Sequence, residues 1–145
     1  MQPLIVSGNL DSLSAIRRYV KEAAAQAGLD KKRTYRLLLA VDEIATNIIV
    51  HGYEQAGKTG EVTVQAEVDQ DRLTITLEDT AAPFDPRYFE RPDQIDKPIK
   101  NRPIGGLGVY LAIENVDELD YEYVNNLNRN FLIIKRPPSG ATATG

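Results

Sequence analysis

Leu37-Leu38-Leu39-Ala40-Val41-Asp42-Glu43-Ile44-Ala45-Thr46-Asn47-Ile48-Ile49-Val50-His51-Gly52 decides how this chain folds. Leu37, Val41, Ile44, Ala45, Ile48 and Ile49 recur at helical spacing, and Leu38 and Leu39 widen the apolar face until it covers most of the circumference. The pattern predicts a helix that starts after Asp30, whose side chain can accept from the first free amides, and ends at about Val50, with His51-Gly52 as the stop. Such a helix should be the buried centrepiece of a domain. Its polar residues break that rule: Glu43, Asn47 and His51 stand at i, i+4 and i+8, along one stripe. The stripe faces a pocket, a partner or water. In a pocket, the Asn47 amide oxygen is a hard ligand suited to Mg²⁺, and the Glu43 carboxylate can orient or deprotonate a nucleophile. Facing water, Glu43 and Asn47 mark the solvent side, and His51 helps the last carbonyls.

Upstream, Leu4 to Val6 reads as a short strand. Asn9 or Asp11 is the cap candidate for a first helix carrying Leu13, Ile16, Val20, Ala23 and Ala27, which Gly28 stops. Downstream the period changes to two. Val62, Val64, Ala66 and Val68, then Leu73, Ile75 and Leu77, alternate with polar residues around Asp69-Gln70-Asp71, a β-hairpin with one face on the core. Two closing strands are expected near Leu119 to Val124 and Phe131 to Lys135, joined by Asn125-Asn126-Leu127-Asn128. Hairpins with helices inserted in blocks predict an α+β, two-layer sandwich: a mostly antiparallel mixed sheet covered on one face by helices. The domain should span 1–136, and the small, polar tail 137–145 should be disordered.

Two loops carry further chemistry. Glu78-Asp79-Thr80-Ala81-Ala82-Pro83-Phe84-Asp85-Pro86 takes an acidic residue from a strand end into small residues and prolines. Asp79 can accept a hydrogen bond from an exocyclic amine while small neighbours admit a flat ring; the plainer reading is an Asx-type turn. Gly105-Gly106-Leu107-Gly108-Val109 opens a helix expected over about Val109 to Val116, where free amides and the helix dipole suit phosphate. Between them, Thr80 to Pro103 shows little periodicity and five prolines, the profile of a functional lid.

Composition narrows the class. The 145 residues suit one domain, and 42% hydrophobic with 26% charged residues is an ordinary globular balance. The absence of cysteine excludes a disulfide framework and a thiolate zinc site. A net charge of -4 argues against direct binding to nucleic acid or anionic membrane. With neither a signal peptide nor a membrane-length apolar run, a cytoplasmic location is expected.

The order of these features resembles the GHKL (Bergerat-fold) ATPases: Glu-x-x-x-Asn on a buried helix, a hairpin ending in Asp-x-small, a long lid, then Gly-Gly-x-Gly on a helix. Val41 to Tyr53 looks like the N-box of the anti-sigma-factor serine/threonine kinases, Asp79 to Pro86 like their adenine box, and Gly105 to Leu111 like their phosphate box. The resemblance, which runs from about Leu4 to Arg136, implies ATP and Mg²⁺ as cofactors. It implies Asn47 as the metal ligand, Glu43 as general base, and Asp79 as acceptor for the adenine amine. His51, Ala81, Phe84, Gly105, Gly106, Leu107, Gly108, Val109 and Asn130 complete the implied nucleotide site, with Arg87 to Ile104 as lid. It implies a kinase that phosphorylates a serine or threonine on an anti-anti-sigma (STAS-domain) protein, sequesters a sigma factor and forms a homodimer. A catalytically silent, ATP-gated binding module and a switch kinase acting on a signalling phosphatase use the same motifs. Ala81 departs from the pattern, standing where glycine is usual; if that position needs positive φ, alanine is strained there, and if glycine only admits the ring, a methyl fits at reduced affinity.

Overall fold

A computed structural model describes residues 1–88 and 106–137. Strand β1 (Leu4–Ser7) leads into helix α1 (Leu13–Gln26) and helix α2 (Lys31–Asn47). The hairpin β2 (Glu61–Val68) and β3 (Arg72–Asp79) follows, then α3 (Gly106–Asn115) and the hairpin β4 (Glu118–Val124) and β5 (Leu127–Lys135). The five strands form one sheet in the order β1-β2-β3-β5-β4, and every pairing is antiparallel. One face of the sheet, carrying Val62, Val64, Leu73, Ile75, Leu77, Leu132 and Ile134, forms a single apolar core with the helices. The α+β architecture is the expected one. The expected lid from 89 onward, Gly105, and the tail from 138 lie outside the described residues.

Local chemistry explains most boundaries. Gly28 has φ +75°, and the Leu29 and Gly28 amides donate to the Ala24 and Ala25 carbonyls at 3.0 and 3.1 Å, closing α1 in a Schellman motif. Asp30 caps α2 by accepting from the Arg33 amide at 2.8 Å. At the start of α1 the expectation is corrected, because neither Asn9 nor Asp11 caps it with a side chain. The chain enters through a 3₁₀ turn, Leu10–Ser12, held by backbone bonds, the Asn9 carbonyl accepting from the Ser12 amide at 3.0 Å and the Leu10 carbonyl from the Leu13 amide.

Three other expectations shift. The α2 helix does not stop at His51-Gly52: it widens into a π-helical segment, Ile48–Glu54, with amide-to-carbonyl bonds five residues apart from Gln55 to Val50 and Lys58 to Tyr53. Leu39 is exposed, so α2 is covered on Leu37, Ala40, Val41, Ile44 and Ala45 rather than all round. The turn between β4 and β5 is only Asn125-Asn126, both left-handed at φ 53° and 64°, as a tight hairpin turn requires. Leu127 and Asn128 therefore belong to β5, and Asn128 becomes an interior residue.

Candidate functional site

A cavity of about 290 Å³ opens where the end of α2 meets the turn after β3. Asn47, Ile48, His51 and Gly52 line it from the helix and its π-helical continuation, and Ile44 lies one turn behind. Asp79, Ala81, Ala82, Pro83 and Phe84 line it from the turn, while Asn128 and Asn130 close it from β5. The register accounts for this last pair: Asp79 stands opposite Asn128, and Leu77 opposite Asn130, so both amides face the interior beside the carboxylate.

Asp79 is 3% exposed. Its Oδ1 accepts from the Ala81 amide at 2.9 Å and from Asn128 Nδ2 at 3.0 Å, while its Oδ2 accepts from no described residue. The Asx-type turn and the acceptor role are therefore compatible, since one oxygen makes the turn and the other is left over. Burial pushes the Asp79 carboxyl above its ordinary range, and the two donors pull part of the way back. Asn130, also 3% exposed, carries a buried Oδ1 with no partner. A buried acceptor without a donor costs about 1–3 kcal/mol, so Asn130 Oδ1 offers a lone pair to a donor, water or ligand, that enters the cavity. The apolar walls from Ile44, Ile48, Ala82 and Pro83 suit a flat ring.

The turn is braced from below by Tyr53. Its hydroxyl donates to the Glu61 carbonyl at 2.8 Å, accepts from the Thr80 amide at 2.8 Å, and lies 3.1 Å from Thr80 Oγ1. Gly8 and Gly60 clasp its ring so closely that a Cβ on either would fall 2.4 and 2.6 Å from ring carbons. Gly52 does the same for Ala81: a Cβ at Gly52 would sit 2.9 Å from the Ala81 methyl. Ala81 is not among the residues with positive φ, so alanine is unstrained at the position where glycine is usual, and Gly52 makes room for its methyl.

Of the expected site residues, Asn47, His51, Asp79, Ala81, Phe84 and Asn130 come together on this cavity. The His51 ring binds Gln55 Oε1 through Nδ1 at 2.8 Å. Glu43 lies one helical turn from Asn47, half-buried and outside the cavity walls. Burial and then the neighbouring Asp42 raise its pKa, and Asp42 is itself held by Arg17 in a two-pronged pair at 2.8 and 3.0 Å. The α3 helix begins at Gly106, not near Val109, so Gly106, Leu107 and Gly108 form its first turn, where amides lack intrahelical partners. The Val109 side chain is buried and does not line the cavity. Asn128 and Gly52 were missed as site residues, because Asn128 read as a turn residue and Gly52 as a helix stop.

No group of three metal-binding side chains occurs among the described residues. Asn47 offers a single amide oxygen at the cavity edge, a donor that fits Mg²⁺, which keeps several of its waters. Among the described helices none is long and apolar enough to cross a membrane.

Residues 6–134 match the family described as histidine kinase-like ATPase domain. The serine-protein kinase RsbW of Bacillus cereus (strain ATCC 10987 / NRS 248) is 28% identical over 117 residues, covering 79% of this chain and 72% of the relative. The protein of the same description from Bacillus licheniformis is 29% identical over 133 residues, covering 88% and 83%. In the crystal structure of the RsbU and RsbW domains of Rv1364c from Mycobacterium tuberculosis, a similar fold covers the whole of this chain. The TM-score is 0.61 at 18% identity, and this chain spans 35% of the length of that one.

Proposed function

The chain belongs to the histidine kinase-like ATPase domain family, and we propose that within it the chain is an ATP-dependent protein serine/threonine kinase of the anti-sigma type. The observation that carries the reading is the buried, unpartnered Asn130 Oδ1 beside Asp79 Oδ2, which accepts from no described residue, in a largely apolar cavity whose other wall holds Asn47. Asp79 accepts from the adenine amine, and Phe84 and Ala81 bound the ring. The phosphates lie toward Asn47 and the first turn of α3, where the amides of Gly106, Leu107 and Gly108 meet their charge.

Asn47 would hold Mg²⁺, which would offset phosphate charge when bound. Glu43, one turn further along the stripe, takes the proton of an incoming serine or threonine hydroxyl as its oxygen attacks the γ-phosphorus and ADP leaves. Its burial suits this task, because a carboxylate with a raised pKa is a stronger base. The acceptor is a STAS-domain anti-anti-sigma protein, and the second partner is a sigma factor held by a homodimer of the nucleotide-bound chain. The relatives described as serine-protein kinases support this reading. The strain argument for the silent-module alternative falls away, since Ala81 has no positive φ, and only the space its methyl takes from the cavity still favours that alternative.

The test is phosphoryl transfer: purified chain, Mg²⁺ and γ-labelled ATP, incubated with each STAS-domain protein of the same genome. Label on a serine or threonine of one of them is expected. Tight ATP binding without transfer to any of them would move the chain to the silent-module class.

A further inference from the structure

Asn128 stands opposite Asp79 in the β3–β5 register and is 3% exposed. Its Nδ2 donates to Asp79 Oδ1 at 3.0 Å, to the Ala81 carbonyl at 3.0 Å and to the Ala82 carbonyl at 3.2 Å. Its Oδ1 accepts from the Phe84 amide at 3.2 Å and from the Tyr121 hydroxyl. An amide has two N–H donors and two lone pairs, so this one is fully spent on the turn and on β4. Although Asn128 lines the cavity, nothing of its side chain remains for a ligand.

The consequence falls on Asp79. Asn128 and the Ala81 amide fill Oδ1, so only Oδ2 can meet whatever enters. Both donors favour the ionised carboxylate, against burial, which favours the neutral one. The distinction matters for recognition. An ionised carboxylate only accepts, whereas a protonated one carries a donor and can satisfy a keto oxygen. Without Asn128, burial acts with one donor fewer against it, and the Ala81 amide alone holds the carboxyl in place.

We propose that Asn128 is the positioning residue that sets the polarity of this cavity: by occupying Asp79 Oδ1 it presents Oδ2 as a fixed acceptor, so the site selects a 6-amino purine over its 6-keto or unsubstituted analogues. The inference rests on the reading of the cavity as a purine-nucleotide site and adds the residue that confers its selectivity. Tyr121 acts behind it: its hydroxyl donates to Asn128 Oδ1 and steadies the amide, whose end facing Asp79 is set by the Phe84 amide and the Ala81 and Ala82 carbonyls.

Dissociation constants of the full chain for Mg²⁺-ATP, Mg²⁺-ITP and Mg²⁺-purine riboside triphosphate test this, alongside the melting temperature without nucleotide. In Asn128→Ala, ATP affinity should fall about tenfold, the worth of one misplaced charge-assisted hydrogen bond, while the 6-unsubstituted analogue changes by less than about threefold. A residue that merely holds the fold together would weaken all three nucleotides alike, and that outcome overturns the proposal. Tyr121→Phe removes only the supporting hydroxyl and serves if Asn128→Ala does not fold. Its preference for ATP over the unsubstituted analogue should shrink by about two- to fivefold, and an unchanged preference also overturns the proposal. Wild-type chain that binds none of the three removes the purine-site reading and the inference with it, whereas binding all three equally leaves a purine site without selectivity and overturns the inference alone. Discrimination in wild type that survives in both variants removes only the role of Asn128.

Discussion

Asp79→Asn should make the empty protein more stable and the nucleotide site far weaker. The substitution keeps the shape and the two acceptor bonds at Oδ1, since an amide oxygen can still receive the Ala81 amide and Asn128 Nδ2. It changes the atom facing the ligand from an acceptor to a donor. Losing a charge-assisted hydrogen bond costs about 1.5–3 kcal/mol, or about 10- to 150-fold in Kd, and an amide N–H directed at an amine pushes toward the upper end. At a Mg²⁺-ATP concentration about a hundred times the wild-type Kd, bound nucleotide stabilises the wild type by roughly 2.7 kcal/mol; a hundredfold weaker variant gains only about 0.4. For a domain of this size each kcal/mol moves the melting temperature by roughly 3–5 °C, so the loss is visible in a thermal melt.

The nucleotide-free protein should move the other way. The folded-state pKa of Asp79 is raised above its unfolded value, so the neutral carboxyl favours folding below the unfolded pKa. That stability is lost as pH rises through the folded pKa, and above it the ionised form carries the full cost. Asparagine has no such cost. Asp79→Asn should therefore melt higher than wild type at neutral pH, and the difference should vanish in acid. A variant that binds Mg²⁺-ATP as tightly as wild type would show that Asp79 is not the acceptor for the amine.

Glu43→Gln should leave ATP affinity unchanged and slow phosphoryl transfer about 10²- to 10⁴-fold, measured as the rate of labelled acceptor formation; an unchanged rate removes Glu43 as base. Asn47→Ala should fold normally but lose the Mg²⁺ dependence of nucleotide affinity, read by titration with and without the metal, and a retained dependence would point to a ligand elsewhere. Gly52→Ala should destabilise the fold by about 1–3 kcal/mol through the 2.9 Å approach to the Ala81 methyl. Adding Ala81→Gly should recover most of it; strictly additive melts in that double-mutant cycle would mean the two residues do not share the space.

The helices, the hairpins and the sandwich were legible because burial imposes a period of 3.6 or 2 on the sequence, and Gly28 and Asp30 end and begin helices by purely local bonds. Asn47 and Asp79 could be picked out because each is a polar side chain where the pattern calls for an apolar one, whereas Asn130 was named only through the family resemblance. Asn128 was not legible. Two adjacent left-handed asparagines and two further asparagines look alike in sequence, and only the strand register decides which of them turn the chain and which enter the core. The π-helical segment was equally hidden, since its three buried residues, Ile48, Ile49 and Tyr53, are too few to reveal the shift in period that a widened turn brings. The companion role of Gly52 and Ala81 is a contact between distant elements, which no local pattern carries.

A π-helical segment is an α-helix holding more residues than its turns need, which makes Ile48–Glu54 a matter of chain length as much as of composition. Deleting one residue there would relax the segment toward α geometry and make it locally cheaper. Every residue beyond the deletion would then rotate by about one α-helical step, roughly 100°, taking the Tyr53 hydroxyl away from Thr80 and Gly52 away from Ala81. The spacing between Asn47 and Tyr53 is thus fixed more firmly than the residues that fill it: substitutions can be absorbed, but a change of length cannot.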